Sequence, residues 1–201
     1  MPEPASSRGL AARHAPGTGQ PVSETWPEFA LHELAGLAVW WLSASAGRED
    51  ELSKACEKAF GTGLPGARRF AEAKPGKGVR ICWAGERQWF LTADAGAGLD
   101  GGMPAAVEKA GWATDQGDGW LAIRIEGART RQVMEKLCGV DLHASVFATG
   151  AVARAPVEGM IALIACDDAS AGTFTILFQR SSARSFLDHV RHAAHSTSPR
   201  G

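Results

Sequence analysis

The chain contains no tyrosine. A tyrosine general acid is therefore excluded from whatever chemistry it takes part in. It has no excess of charge of either sign: 21 Lys and Arg stand against 22 Asp and Glu, for a net charge of −1. The electrostatic footprint of a nucleic-acid binder is missing. Long hydrophobic runs are missing too. The longest nearly unbroken stretch, Leu34 to Leu42, falls far short of the about 20 residues that span a bilayer. The start, Met1-Pro-Glu-Pro-Ala, lacks the charged and apolar segments of a secretion signal. The expectation is a cytoplasmic protein with reduced thiols and no membrane or nucleic-acid partner. Cysteine is sparse: Cys56, Cys82, Cys138 and Cys166 form no CxxC pair for zinc or redox work, and each sits among apolar neighbours as a small core residue does. No P-loop, HExxH motif or nucleophile elbow occurs.

What is present is an ordinary globular composition. The 201 residues are 45% hydrophobic and 21% charged, which suits one domain with a proper core. The seven tryptophans suggest large buried surfaces, in a core or in a subunit contact.

Proline divides the chain. Five of its ten prolines, Pro2, Pro4, Pro16, Pro21 and Pro27, fall in residues 1–30. Proline fixes φ and removes a donor, so this segment reads as an extended arm outside the core, disordered or laid on a partner. Trp26 and Phe29 are apolar enough to anchor such a contact. Deleting residues 1–25 is expected to leave the domain folded but to weaken assembly with a partner. The domain itself then spans 31–201.

Within it, Leu37–Leu42 reads as a buried strand. Residues 49–60 read as a helix, because Leu52, Ala55, Cys56, Ala59 and Phe60 share one face. Val79–Trp83 and Arg87–Thr92 flank a short turn and read as a hairpin. A short helix at 103–110 and a strand at Trp112–Asp115 follow. The order then recurs: strand Trp120–Ile125, helix Ala128–Cys138, a hairpin of Met160–Cys166 and Thr173–Phe178, and a last helix after Ser181 or Ser182 carrying Phe186, Leu187 and Val190. Cys56 and Cys138 fall on equivalent helices, Cys82 and Cys166 on equivalent strands. The fold class is α+β: two pseudo-repeats, about 36–111 and 112–195, each a split βαβ (ferredoxin-like) unit with a mostly antiparallel sheet.

Candidate motifs are weak. Gly61-Thr-Gly63-Leu-Pro-Gly66 has GxGxxG spacing but follows a helix, and Pro65 stands where a phosphate-binding helix would begin. Gly96-Ala-Gly98-Leu-Asp-Gly101 does follow a strand, but that strand is the second arm of a hairpin, and Asp100 adds negative charge. His189, His192 and His195 recur on the last helix opposite its apolar face and read as solvated. His143 reads as a loop residue bonding to backbone or to a partner. Asp115 and Asp118 with Arg124 are the only groups that suit a pterin and a glutamate tail. No catalytic, cofactor-binding or metal site is assigned to the chain.

Several stretches carry a resemblance. They are Trp112-Ala-Thr-Asp-Gln-Gly-Asp-Gly-Trp120, Asp141-Leu-His-Ala-Ser-Val-Phe147, Gly150-Ala-Val-Ala-Arg154, Trp83-Ala-Gly-Glu-Arg-Gln-Trp89, the Thr173–Phe178 strand and Arg180-Ser-Ser-Ala-Arg-Ser-Phe186. Together the region from about 35 to 195 resembles the gamma subunit of the heterotetrameric sarcosine oxidase family. The resemblance implies a fold like the folate-binding part of the glycine cleavage T-protein. It also implies a complex with alpha, beta and delta subunits. There the alpha chain would hold NAD and tetrahydrofolate, and the beta chain FAD and covalent FMN, leaving no cofactor in gamma. The complex oxidises sarcosine to glycine, with hydrogen peroxide and formaldehyde or methylene-tetrahydrofolate as products. A related N-methylglutamate dehydrogenase has a similar small subunit, and a stand-alone folate-binding one-carbon protein is the competing class.

Overall fold

The structure, a computed structural model, describes residues 20–74, 78–99 and 102–198. The described residues form eleven strands in two sheets. In chain order they begin with β1 (Ser23–Trp26) and β2 (Phe29–Glu33). A first unit follows: β3 (Ala38–Ser43), helix α1 (Glu49–Phe60), β4 (Phe70–Glu72), β5 (Val79–Gly85), β6 (Gln88–Ala93), α2 (Ala105–Ala110) and β7 (Trp112–Asp115). The second unit holds β8 (Trp120–Glu126), α3 (Thr130–Glu135), β9 (Val152–Val157), β10 (Met160–Asp168), β11 (Thr173–Gln179) and α4 (Ala183–Ser196).

Sheet order establishes the split βαβ reading. The five-stranded sheet runs β4-β5-β6-β3-β7, and each neighbouring pair is antiparallel. β6 is inserted between β3 and β5, and β3 between β6 and β7, which is the split arrangement twice over. The six-stranded sheet runs β1-β2-β8-β11-β10-β9 and is antiparallel throughout. β8, β11 and β10 take the places of β3, β6 and β5. The place of β7 is taken by β2, from the other end of the chain.

This corrects the reading of the arm. Its last part is a hairpin inside the fold, with Phe29 and Leu31 2% and 1% exposed. Proline at position 27 is compatible with this because it lies in the turn, where no ladder N–H is required. Gly127 makes room at the junction: its φ is +122°, and a side chain there would collide with the Glu28 carbonyl. Arg129 then fastens the hairpin. It is 4% exposed; one guanidinium nitrogen donates to the Pro27 carbonyl, and the other to Ala194 O at 2.9 Å and to Thr197 Oγ1. A cation at the last carbonyls of α4 also suits the helix dipole. Arg191 of α4 reaches back to Glu24 of β1, and Trp26 Nε1 donates to His195 Nε2 at 3.3 Å. Residues 1–19 lie outside the described part.

Alternation along the strands produces three apolar layers. On β3, Leu42 faces a layer with Leu52, Cys56 and Phe60 of α1 and Val107 of α2, while Val39 faces the other sheet. On β11, Phe174, Ile176 and Phe178 face α3 and α4, with Phe186, Leu187 and Val190, while Leu177 faces the other sheet. The two sheets thus meet through Val39, Cys82, Phe90, Ala122, Leu163 and Leu177, with helices on the outer face of each.

The helix of residues 49–60 lies where its periodicity puts it. Three acidic residues begin it, and Gly61 closes it in the left-handed conformation at φ 82°. The helix expected at Ala128–Cys138 is shorter, ending at Glu135 in tight turns in which Leu137 N and Cys138 N both donate to Met134 O. Cys138 therefore follows its helix, and Cys56 and Cys138 are not equivalent. Cys82 and Cys166 do lie on corresponding strands, but they face different layers.

Candidate functional site

The seam between the sheets concentrates the buried polar chemistry. Arg80 of β5 donates through Nε to Glu72 Oε1 of β4 at 2.7 Å, and its guanidinium lies over the Phe70 ring. Its Nη1 is 2.6 Å from Asp167 Oδ1 of β10, on the opposite sheet. That oxygen takes no hydrogen bond of good angle, so the contact is electrostatic rather than directional. Asp167 Oδ2 is held by Thr175 Oγ1 at 2.7 Å. Burial opposes the charge of Arg80, but Asp167 and Glu72 outweigh it and raise its pKa. The group is a fixed cation joining the two sheets. Behind it, Trp41, Phe90 and Trp120 meet edge to face, with centroids 4.7 and 4.5 Å apart.

A cleft of about 270 Å³ opens at this end of the seam, lined by Leu37, Arg80, Thr92, Arg124 and Thr175 among others. A second, of about 270 Å³, is lined by Glu33, Leu37, Asp118, Trp120 and Arg180. Asp118 thus faces the second cleft and Arg124 the first, while Asp115 faces neither and accepts the Gly117 N–H at 2.8 Å. The three groups that suit a folate do not line a common cleft among these.

The other sequence candidates sit in structural roles. Gly61 to Gly66 is loop after α1, and Ser53 Oγ accepts the Leu64 N–H there at 3.0 Å. The motif at 96–101 joins β6 to α2, and residues 100 and 101 lie outside the described part. His189 is 3.5 Å from Glu158, His195 meets Trp26, and His192 is exposed. His143 N donates to Asp141 Oδ1 at 2.9 Å, its Nδ1 lies 2.8 Å from Ser145 Oγ, and its carbonyl accepts Val146 and Phe147 N–H groups. Among the described residues, no three His, Cys, Asp or Glu side chains group as a metal site would.

Burial pushes the Cys56 and Cys82 thiols up to about 12 and raises those of Cys138 and Cys166. All four are therefore protonated at neutral pH and are poor nucleophiles. The residues that sequence reasoning missed are Arg80, Asp167 and Arg129. Their only local signal is a charge placed inside a strand or beside an apolar run. The partners that explain them are remote in sequence.

Large apolar groups also reach solvent. Trp112 on the outer strand β7 is 61% exposed, Val146 in the loop before β9 is 64% exposed, and Ile161 on β10 is 44% exposed. No helix of the described residues is long and apolar enough to cross a membrane.

Paired units, sheet against sheet with helices outside, define an α+β class that the chain shares with known structures. It is similar to aminomethyltransferase T of the glycine cleavage system from Bartonella henselae, with a TM-score of 0.55 at 12% identity. That match covers 83% of this chain but 46% of the transferase, so the chain spans a little under half of that enzyme. It is similar over nearly all its length to a chain of the heterotetrameric sarcosine oxidase from Corynebacterium sp. U-96, solved with pyrrole 2-carboxylate. There the TM-score is 0.72 at 22% identity, covering 89% of this chain and 90% of that one. The T-protein-like fold is thereby shown. No protein-family model and no curated protein sequence matches the chain.

Proposed function

We propose that the chain is the gamma subunit of a heterotetrameric sarcosine oxidase, a non-catalytic cytoplasmic component that holds the alpha, beta and delta chains together. The observation that carries this reading is extent. The fold match takes in 89% of this chain and 90% of the oxidase chain, whereas the transferase has more than twice the matched length. The fixed Arg80–Asp167 pair, the protonated thiols and the exposed Trp112 suit a scaffold that adheres to partners.

In this reading the complex converts sarcosine, water and oxygen to glycine, formaldehyde and hydrogen peroxide. FAD, covalent FMN, NAD and tetrahydrofolate sit in the other subunits. The small subunit of an N-methylglutamate dehydrogenase is the neighbouring possibility within the same class. A folate-binding one-carbon protein is the second reading, favoured by the likeness to the aminomethyltransferase.

The test is co-expression with candidate alpha, beta and delta chains, followed by purification through a tag on this chain. A flavin-coloured complex with sarcosine-dependent peroxide formation is expected, with neither property in the chain alone. N-methylglutamate as the better substrate selects the dehydrogenase. Tight tetrahydrofolate binding by the isolated chain, or its turnover of sarcosine, overturns the scaffold role.

A further inference from the structure

A third cleft, of about 560 Å³, lies away from the seam openings, between the loop 139–148 and the outer side of β9. Its lining includes Arg68, Arg69 and Arg154 against a single carboxylate, Asp141. This is a local excess of positive charge on a chain whose net charge is −1. The arginines are underused. Each guanidinium has five N–H donors. Arg69 gives one to Thr149 O at 3.5 Å, and Arg154 gives one to Ala84 O at 3.3 Å while lying 5.4 Å from the Trp41 ring centroid. None of the three has a carboxylate partner among the described residues.

The backbone beneath them is rigid. Val152 N donates to Arg68 O at 2.8 Å, Phe70 N to Gly150 O at 3.1 Å and Trp83 N to Arg69 O at 3.0 Å, so residues 68–70 tie β5 to the start of β9. Arg68 is held at φ +59°, a left-handed conformation unusual for a residue with a side chain.

Apolar groups complete the lining. Val146 is 64% exposed at the rim, and Phe147 and Trp83 lie below. A small inorganic anion would leave Val146 in water, and a nucleic acid would want more cations than these. One wall is an edge strand. β9 pairs with β10 on one side, and on the other, among the described residues, its backbone is met only at its start, where Val152 N donates to Arg68 O beside the Ala151–Arg69 bridge. An extended peptide adds to such an edge through its backbone while its alternate side chains enter the cleft. Pro156 and Arg154 on the edge discourage indiscriminate strand pairing.

We propose that this cleft docks an extended acidic segment of a partner chain, its carboxylates on Arg68, Arg69 and Arg154 and one apolar side chain on Val146 and Phe147. That the segment belongs to a subunit of the complex rests on the function proposed above. The cleft's preference for acidic peptide does not.

The experiment uses the full chain and a fluorescein-labelled decapeptide of Glu and Ser residues with one central Leu, read by anisotropy. The chain is expected to bind it about tenfold or more tighter than the Gln-for-Glu version, and more weakly as salt rises. The variant Arg68→Gly/Arg69→Gln should lose about tenfold or more. Glycine at 68 accepts the left-handed backbone, so this variant keeps the fold. Lys54→Gln/Lys58→Gln, which removes two exposed charges from α1, should change binding less than about twofold. Equal binding of the two peptides, or an unchanged Arg68→Gly/Arg69→Gln variant, overturns the proposal. So does displacement by single-stranded DNA or inorganic phosphate at the concentrations at which unlabelled peptide displaces. In the co-expressed complex the same double variant should be retained less; unchanged retention also overturns the proposal. If the unaltered chain fails to co-purify, the subunit assignment falls, while the anisotropy still decides the cleft.

Discussion

In the first unit the outer strand β7 follows directly from helix α2 and pairs with β3. In the second, helix α4 is followed by no strand among the described residues, and β2 arrives from the N-terminal side to pair with β8. The same sheet order is thus closed in two ways. β2 is itself covered by β1 and tied down by Arg129, Arg191 and Trp26. β7 is bare on its outer side among the described residues and presents Trp112 to solvent. At this end the second unit has its closing strand covered, while the first leaves its closing strand bare.

The largest expected effect breaks the comparison at the borrowed strand. A chain beginning at Leu34 loses Phe29 and Leu31 from the second core and the only partner of β8 on that side. Its second unit should fail to fold, seen as loss of near-ultraviolet circular dichroism and rapid proteolysis after residue 112. The expectation that the domain stays folded without residues 1–25 runs against contacts they make: Val22 is buried, and Glu24 pairs with Arg191. Cooperative unfolding of the Leu34 chain at the full chain's midpoint would show β2 to be ornamental.

Next come matched cavities. Leu52→Ala in the first core and Leu137→Ala in the second should each cost about 2–5 kcal/mol in urea unfolding. Leu52 is fully buried on a regular helix, and Leu137 is 6% exposed just beyond one. The first should lie at the upper end of that range. A cost under about 1 kcal/mol at Leu137 would mean that the turn after α3 repacks.

Alkali should separate the units more gently. A thiol ionises near 9.0 in the unfolded chain, whereas Cys56 and Cys82, both in the first unit, keep their protons to about 12. Between those values the folded state binds more protons than the unfolded state. Stability is therefore full below about pH 9 and falls above it, by about 1.4 kcal/mol per pH unit for each thiol. Urea midpoints at pH 8 and pH 10 should diverge in the parent chain, and Cys56→Ala/Cys82→Ala should show much less divergence. A Cys138→Ala/Cys166→Ala variant that removed the divergence equally would contradict the assignment to the first unit.

The smallest effect is on the bare edge. Trp112→Thr should change stability by no more than about 0.5 kcal/mol. It should nonetheless reduce co-purification with partner chains. Full retention of partners would leave β7 as a plain solvent-facing strand.

Much of this architecture was legible in sequence because local signals agreed. Helix 49–60 had an apolar face, an acidic start and a glycine stop. The β10–β11 hairpin had Phe174, Ile176 and Phe178 at period two around a polar turn. β9 was missed because Ala-Arg-Ala-Pro is poor strand sequence, which an edge position tolerates. β1 and β2 are hidden in the sequence by the five prolines that crowd residues 1–30, although Phe29, Leu31 and Glu33 alternate. The seam was illegible for a different reason. Arg80 and Asp167 lie on different sheets, and a pairing between remote residues has no period. The arginine cleft likewise draws on segments around 68, 146 and 154 that only the fold brings together.

The origin of β2 also affects how the protein is made. Phe29–Glu33 emerges from the ribosome early but has no sheet to join until Ile123–Glu126 has followed. At typical rates of about 5–20 residues per second that wait lasts on the order of 5–20 s. The first unit meanwhile has all its own strands and can complete itself. The nascent chain therefore carries a finished unit behind an unpaired apolar hairpin. That hairpin is the segment a chaperone would be expected to shield, and the point at which a slowed ribosome would favour aggregation over closure.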